Sequence, residues 1–303
     1  MIRFKRLTTQ HLDAWLVDQR IVSTHANYRL RVWRENRPGL AAIRSELIAY
    51  IEEAIDDARR RIRCGFEDSL SPFNDPMTDP AANYPAQLHR ITLQGYWGET
   101  LAALAVEHWG AHGNTDWSIP AFLFRMHEQE FQHLDAINER LLTGEAYEAD
   151  SIAERRPGRT GDDGLAFRKN GENAITEVLV IEAKCLDANN NEKIKEAHEK
   201  LAAGGVRPSG VRELINLLEE YATPDAQAWQ EALLKLWRDG YRVAIRHDAI
   251  GYTCGSVPTR GRRVAWLPGD APHAAYTASR RLEGMEFQFE DLATIIDTLY
   301  RGA

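Results

Sequence analysis

The chain has 303 residues, of which 44% are hydrophobic and 27% charged, and it carries a formal net charge of −8. This composition is typical of a globular protein with one large or two smaller domains, and no apolar run approaches the ~20 residues that span a bilayer. We expect no membrane association, and we expect a cytoplasmic location because the first residues lack the apolar core of a signal peptide.

The first 85 residues are predicted to form an N-terminal extension and linker. Short strands come first, followed by a long helix from about Pro38 to Arg63, with the proline suited to a first helical turn. The stretch from Glu67 to Pro85 is rich in proline, aspartate and asparagine. It is predicted to separate the extension from a domain at residues 86–303, or alternatively to lie over a site in that domain as a lid.

A helix is predicted in the segment QGYWGETLAALAVEHWG, and it places one carboxylate among apolar neighbours. The residues at helical spacings from Glu99 are small or apolar: Gly95, Tyr96, Ala102, Ala103 and Val106. Two interpretations stay open for this glutamate. It is either a buried structural carboxylate paired with an arginine or a member of a catalytic site.

The segment from Gly161 to Leu186 is predicted to form two strands joined by a turn. Residues 178–181 are apolar throughout, as in a strand that is buried on both faces. Successive side chains of a strand alternate between faces, so Glu182 and Lys184 point to the same side. Burying these charges is unfavourable unless something compensates, and a divalent cation would compensate the carboxylate.

The register of this hairpin decides whether an aspartate can reach Glu182. A loop restricted to the Asn170-Gly171 pair would leave Asp163 about four residues, or roughly 13 Å, short of Glu182. A wider loop, or a bulge in the hairpin, would bring the two carboxylates level. A shared metal site therefore requires one of these, and the pattern favours Asp163 over the neighbouring Asp162.

These residues resemble the PD-(D/E)XK nuclease superfamily. Its members have an acidic residue on one strand, (D/E)-x-K on the antiparallel neighbour and often a glutamate on the preceding helix. Asp163, Glu182 and Lys184 match the strand positions, and Glu99 matches the helix position. The chain departs from the superfamily's name in having Asp162, and not proline, before the first acidic residue.

The resemblance implies a fold and an activity. The fold would be α/β, with a restriction-endonuclease-like core of a mixed central sheet flanked by helices, preceded by an N-terminal α+β extension. The activity would be metal-dependent hydrolysis of phosphodiester bonds in nucleic acid, with DNA favoured.

The implied roles follow from the chemistry of each residue. Asp163 and Glu182, with the carbonyl of Ala183, would hold Mg²⁺ or Mn²⁺, since hard cations prefer oxygen ligands. Lys184 would position the attacking hydroxide or stabilise the pentacovalent phosphate oxygens, and Glu99 would bind a second ion or orient a water.

A narrower resemblance implies a protein partner. The sequences Asp163-Gly164 and Glu182-Ala183-Lys184 are similar to those of nucleases from bacterial anti-phage defence systems that work beside a helicase, among them the Hachiman nuclease subunit. This resemblance implies that a helicase or another ATP-driven translocase accompanies the chain.

Arginines precede the aspartate pair and are candidates for nucleic-acid contacts. Arg155, Arg156 and Arg159 are predicted to follow the phosphate backbone, or alternatively to form a solvated surface. The net negative charge argues against a polyanion substrate, but net charge is a poor guide to a local groove.

Two other functions are compatible with this sequence. A non-catalytic binding or scaffold subunit would keep the fold, with Glu182 and Lys184 simply paired to each other. An α/β enzyme acting on small nucleotides is less favoured because the sequence has no glycine-rich phosphate loop.

Overall fold

The computed structural model describes residues 7–21, 25–66, 79, 81–124, 134, 136–137, 140, 143–144, 148–151, 161–258 and 264–302, without the side chains of residues 64–66. Within these residues, six strands form one sheet: β1 (Leu16–Asp18), β2 (Tyr28–Glu35), β3 (Gly164–Lys169), β4 (Ile175–Leu186), β5 (Ile245–Cys254) and β6 (Leu282–Gln288). The helices that accompany them include α1 (Thr9–Trp15), α2 (Arg37–Phe66), α3 (Arg90–Trp109), α4 (Asn191–Ala203), α5 (Val211–Glu219), α6 (Pro224–Arg238) and α7 (Leu292–Arg301). None of the described helices combines the length and apolar character that crossing a bilayer requires.

The sheet is mixed, and its strands lie in the order β1-β2-β6-β5-β4-β3. The four central strands β2, β6, β5 and β4 are parallel to one another, whereas β1 and β3 run antiparallel to their neighbours at the two edges. The expected α/β class and mixed sheet are confirmed. Ligands of α/β sheets bind outside the carboxyl ends of parallel strands, and Glu182 and Lys184 lie near that end of β4.

Helices cover both faces of the sheet, as a parallel sheet requires. One face packs against α1, α2, α3 and α7, and the other packs against α4, α5 and α6. We refer to them as the α3 face and the α4 face. In β4, Leu179 and Ile181 point to the α3 face, and Val178 and Val180 point to the α4 face. Burial of each such side chain contributes roughly 1.5–3 kcal/mol.

The N-terminal residues contribute to the same sheet as the rest of the chain. β2 pairs with β6 over seven residues, and Trp33 stacks on Phe287 with ring centroids 5.2 Å apart. The expected extension at 1–85 and the expected domain at 86–303 therefore share one sheet. Through α2 they also share the hydrophobic core on the α3 face.

At the start of two helices, capping residues satisfy the free amides of the first turn. The side chain of Asn190 accepts hydrogen bonds from the amides of Glu192 and Lys193 at the start of α4. Thr223 caps α6 in the same way, directly before a proline in the first turn. The predicted long helix after β2 is also found, as α2.

Residues 264–267 have the sequence VAWL, which is apolar throughout as in a buried strand, but they have no strand structure. The amides of Trp266 and Leu267 instead donate hydrogen bonds of 2.7–2.9 Å to the carboxylate of Glu286. Glu286 is fully buried on β6. A buried carboxylate must be satisfied, and this loop supplies the donors.

Candidate functional site

The hairpin of β3 and β4 brings Asp163 level with Glu182. Gly164 pairs with Ile181, and the amide of Asp163 donates a hydrogen bond of 3.2 Å to the Ile181 carbonyl. Residues 170–174 separate the two strands, and the register shifts between Arg168 and Lys169. A shared site requires either a wider loop or a bulge, and the hairpin has both.

The loop is wide because asparagine side chains organise it. Oδ1 of Asn170 accepts hydrogen bonds of 3.0 Å from the amides of Glu172 and Ala174. Asn173 adopts a φ of 61°, in the left-handed region that asparagine tolerates better than most residues. A two-residue turn at Asn170 and Gly171, which would have misplaced the aspartate, is thereby excluded.

The two adjacent aspartates point to different places. Oδ2 of Asp163 accepts a hydrogen bond of 2.8 Å from the amide of Ala183, beside Glu182. Oδ2 of Asp162 instead accepts hydrogen bonds from the hydroxyl of Ser209, at 2.8 Å, and the amide of Gly210, at 3.1 Å. The structure thus brings Asp163, the residue favoured from the sequence, to Glu182.

Glu182 and Lys184 lie on the α4 face, where Glu182 meets two ammonium groups. Nζ of Lys184 lies 2.5 Å from Oε1 of Glu182. The other carboxylate oxygen, Oε2, contacts Nζ of Lys200 on α4, and that nitrogen lies 3.5 Å from Oδ1 of Asp163. The Glu182 side chain is 1% exposed and those of Lys184 and Lys200 are 24% and 36% exposed, so the cluster opens to solvent on its lysine side.

Burial and neighbouring charges shift the pKa values of this cluster. Burial raises the pKa of Glu182 to about 7, and the negative charge of Asp163 acts in the same direction. Burial alone would lower the pKa of Lys184, but the carboxylates of Glu182 and Asp163 outweigh it and the pKa is raised. Lys184 therefore stays cationic, and the crowded carboxylates favour a neighbouring positive charge.

The donor set suits a hard divalent cation that keeps several waters. Asp163 and Glu182 offer one carboxylate oxygen each toward a common position, where the ammonium of Lys200 lies. The amide of Ala183 faces the β3 edge, and its carbonyl points to the same edge because both groups of a residue in an antiparallel ladder do so. Among the described residues, no group of three or more histidine, cysteine, aspartate or glutamate side chains has metal-binding geometry. Two carboxylates and one carbonyl fit Mg²⁺ better than ions that need an all-protein cage.

Glu99 lies on the opposite face of the sheet from Glu182. Its helix, α3, approaches the sheet so closely that a Cβ added to Gly98 would lie 3.0 Å from Cβ of Cys185. Cys185 follows Lys184 in β4, so the two side chains point to opposite faces of the sheet. Glu99 is near Tyr300 of α7, whose pKa is raised by burial first and by this carboxylate among other neighbours. The structure therefore does not bring Glu99 to the other three residues.

Two further outcomes concern cations. The arginines Arg155, Arg156 and Arg159 lie outside the described residues. Lys200 was missed from the sequence, although it follows Ala197 by three positions and so borders the apolar stripe of α4. The sequence signal for Lys200 is a lysine that borders the apolar stripe of the helix following the E-x-K strand.

His198 on the same helix is a buried structural residue. It is fully buried, and its Nδ1 donates a hydrogen bond of 2.7 Å to the carbonyl of Ile194, one turn earlier. Its ring lies near those of His273 and Tyr276. Burial lowers the pKa of His198 to about 4, so it is neutral at physiological pH.

Comparison with known proteins assigns no family to this arrangement. No protein-family model matches the chain, and no curated protein matches it significantly.

Proposed function

We propose that this chain is a metal-dependent nuclease with a PD-(D/E)XK-like core, and that it hydrolyses phosphodiester bonds with DNA as the favoured substrate. The observation that carries the proposal is the meeting of Asp163, Glu182 and Lys184 near the carboxyl end of β4. Two buried or half-buried carboxylates and a lysine on one strand pair are expensive to assemble, and a structural role needs only one ion pair.

Asp163, Glu182 and the carbonyl of Ala183 would hold Mg²⁺ or Mn²⁺. When bound, such an ion neutralises charge that grows on the phosphate and lowers the pKa of water. Lys184 contributes a fixed ammonium beside these ligands, held by Glu182 at 2.5 Å. In this proposal the ammonium would orient the attacking water or stabilise the negative oxygens of the phosphorane. Glu99, on the other face of the sheet, has no part in this proposal.

The proposal is tested by incubating the whole chain with plasmid, linear duplex and single-stranded DNA, and with RNA, with and without Mg²⁺ or Mn²⁺. We expect cleavage that requires the ion and is lost in Glu182→Gln and in Lys184→Met. Both variants preserve much of the side-chain volume, so circular dichroism should show an intact fold. Cleavage at the wild-type rate by either variant would contradict the proposal.

A second candidate function is a non-catalytic subunit that binds nucleic acid or acts as a scaffold. The direct contact between Lys184 and Glu182 favours it, since this pair is also what a purely structural site would contain. The same assay separates the two functions. The non-catalytic subunit would retain nucleic acid in a filter-binding assay but cleave none of the substrates with either ion.

We further propose that the nuclease acts with a helicase or another ATP-driven translocase, in bacterial defence against phage. The net charge of −8 gives the chain little overall attraction for nucleic acid, and a motor that delivers the substrate would supply it. An unrestrained nuclease would also attack the host chromosome. Robust cleavage by the isolated chain, with no stable partner recovered from its host, would contradict this part of the proposal.

A further inference from the structure

The ammonium of Lys200 occupies the position between the two carboxylates that the proposed metal ion would need. Its Nζ contacts Oε2 of Glu182 and lies 3.5 Å from Oδ1 of Asp163. Oε1 of Glu182 is taken by Lys184, and Oδ2 of Asp163 is taken by the amide of Ala183. Lys200 therefore lies at the second oxygen of each carboxylate, the one that Lys184 and Ala183 do not bind.

The backbone of Lys200 is fixed while its side chain has room to move. Ala197 and Leu201 anchor α4 in the core of the α4 face, and Asn190 caps the start of the helix. The Lys200 side chain is 36% exposed, and its four-carbon stem can swing to solvent without disturbing the helix. A cation on a fixed helix with a mobile stem can exchange with another cation.

We propose that Lys200 is a positioning residue that holds Asp163 and Glu182 in place before a metal ion arrives and is displaced when the ion binds. This inference rests on the proposed metal site. An ion at about 2.1 Å from the same two oxygens leaves no space for the ammonium, and like charges repel at that distance. Lys200 thus offsets the electrostatic repulsion between the two carboxylates. It also weakens metal binding, because the ion must displace it.

Titration calorimetry with Mn²⁺ tests this competition on the whole chain. We expect Lys200→Met to bind Mn²⁺ about tenfold more tightly than the wild type, because no ammonium has to be displaced. Lys195→Met is the matched control. It removes the same charge from the same helix, but Lys195 lies near Glu192 and Glu199, at 3.9 Å and 3.8 Å, and not near the site. We expect its affinity for Mn²⁺ to equal that of the wild type.

Amine labelling of the wild-type chain gives a second test that needs no variant. Reductive methylation followed by mass spectrometry reports the accessibility of each lysine. We expect Mn²⁺ to increase labelling of Lys200 and to leave that of Lys195 unchanged. This readout holds even if Lys200→Met does not fold.

The outcomes separate the two proposals. If the wild type binds Mn²⁺ but Lys200→Met binds it no more tightly than Lys195→Met, and the labelling of Lys200 is unchanged, the role of Lys200 is overturned while the metal site stands. If neither the wild type nor Lys200→Met binds Mn²⁺, the metal site itself is overturned, and the role of Lys200 with it.

Discussion

The backbone amide of Ala183 donates a hydrogen bond of 2.8 Å to Oδ2 of Asp163. β3 begins at Gly164, so this side chain satisfies the amide of β4 at the position where the strand pairing ends. The bond fixes one carboxylate oxygen and leaves the other, Oδ1, facing Lys200 at 3.5 Å. A structural bond and a candidate metal ligand are therefore combined in one side chain.

The first prediction separates these two roles of Asp163. Asp163→Asn keeps an oxygen that can accept from Ala183 but loses the negative charge, so we expect the melting temperature to change little. Binding of Mn²⁺ should weaken at least tenfold, because a neutral amide is a poor ligand for a hard cation that otherwise has few protein donors. Calorimetry measures the affinity.

Asp162→Asn is the control for this prediction. It makes the same chemical change one residue away, where the side chain binds Ser209 and Gly210. Its affinity for Mn²⁺ should equal that of the wild type. Equal losses in both variants would mean that net charge, and not ligation by Asp163, determines the affinity.

The second prediction concerns the pH dependence of stability through His198. Burial lowers the pKa of His198 to about 4, below the 6.5 of an unperturbed histidine. The unfolded chain therefore takes up the proton first, and stability that is present above pH 6.5 is lost as the pH falls toward 4. The loss from this residue is on the order of 3 kcal/mol by pH 4.

The variant His198→Phe tests that loss. It keeps a buried ring but cannot bind a proton, so its free energy of unfolding should fall less steeply than that of the wild type between pH 6.5 and pH 4. Urea denaturation at several pH values measures both curves. Parallel curves would show that His198 does not contribute to the dependence.

The arrangement of the hairpin was predictable because local rules determine it. Alternation along β4 places Glu182 and Lys184 on one side, and the separation of Asp163 from Glu182 in sequence admits a shared site only with a wide loop or a bulge. Asn170 and Asn173 supply that loop.

What the sequence left undetermined depends on contacts between distant segments. Trp266 lies in a loop and not in a strand because Glu286, twenty residues later, is buried and accepts a hydrogen bond from its amide. Lys200 reaches Glu182 only because α4 packs back on the sheet, and Glu99 fails to reach it because α3 packs on the other face. Periodicity gives the apolar side of a helix but not the face of the sheet that it covers.

The third prediction concerns the close approach of α3 to the sheet. A Cβ added to Gly251 of β5 would lie 2.6 Å from Cβ of Ala102, so Gly251→Ala forces the helix away from the strand beside the site. We expect the free energy of unfolding to fall by roughly 1–3 kcal/mol, as for other overpacked cores.

Gly95→Ala is the matched control, because nothing lies within 4 Å of its Cβ position on the same helix. It should stabilise the chain by about 0.5–1 kcal/mol. Two variants of equal stability would contradict the close packing.

The fourth prediction concerns Arg155, Arg156 and Arg159 and rests on the sequence alone. If these arginines follow the phosphate backbone, replacing all three by glutamine should weaken DNA binding and flatten its dependence on salt. Each lost phosphate contact lowers the slope of log affinity against log salt by about 0.9 for duplex DNA. Binding is measured in the Glu182→Gln background, so that the DNA stays intact.

The control for the arginine prediction removes the same charge elsewhere. Arg37, Arg60 and Arg63 each form an ion pair with an acidic side chain of the chain itself, at 3.7 Å, 3.1 Å and 2.7 Å. Their replacement by glutamine should leave the salt slope close to that of the parent, because a change in net charge alone acts on DNA only weakly once salt screens it. Equal slopes in both triple variants would assign Arg155, Arg156 and Arg159 to the solvated surface. The nucleic-acid contacts of the proposed nuclease would then have to come from the lysines at the site and from the partner that delivers the substrate.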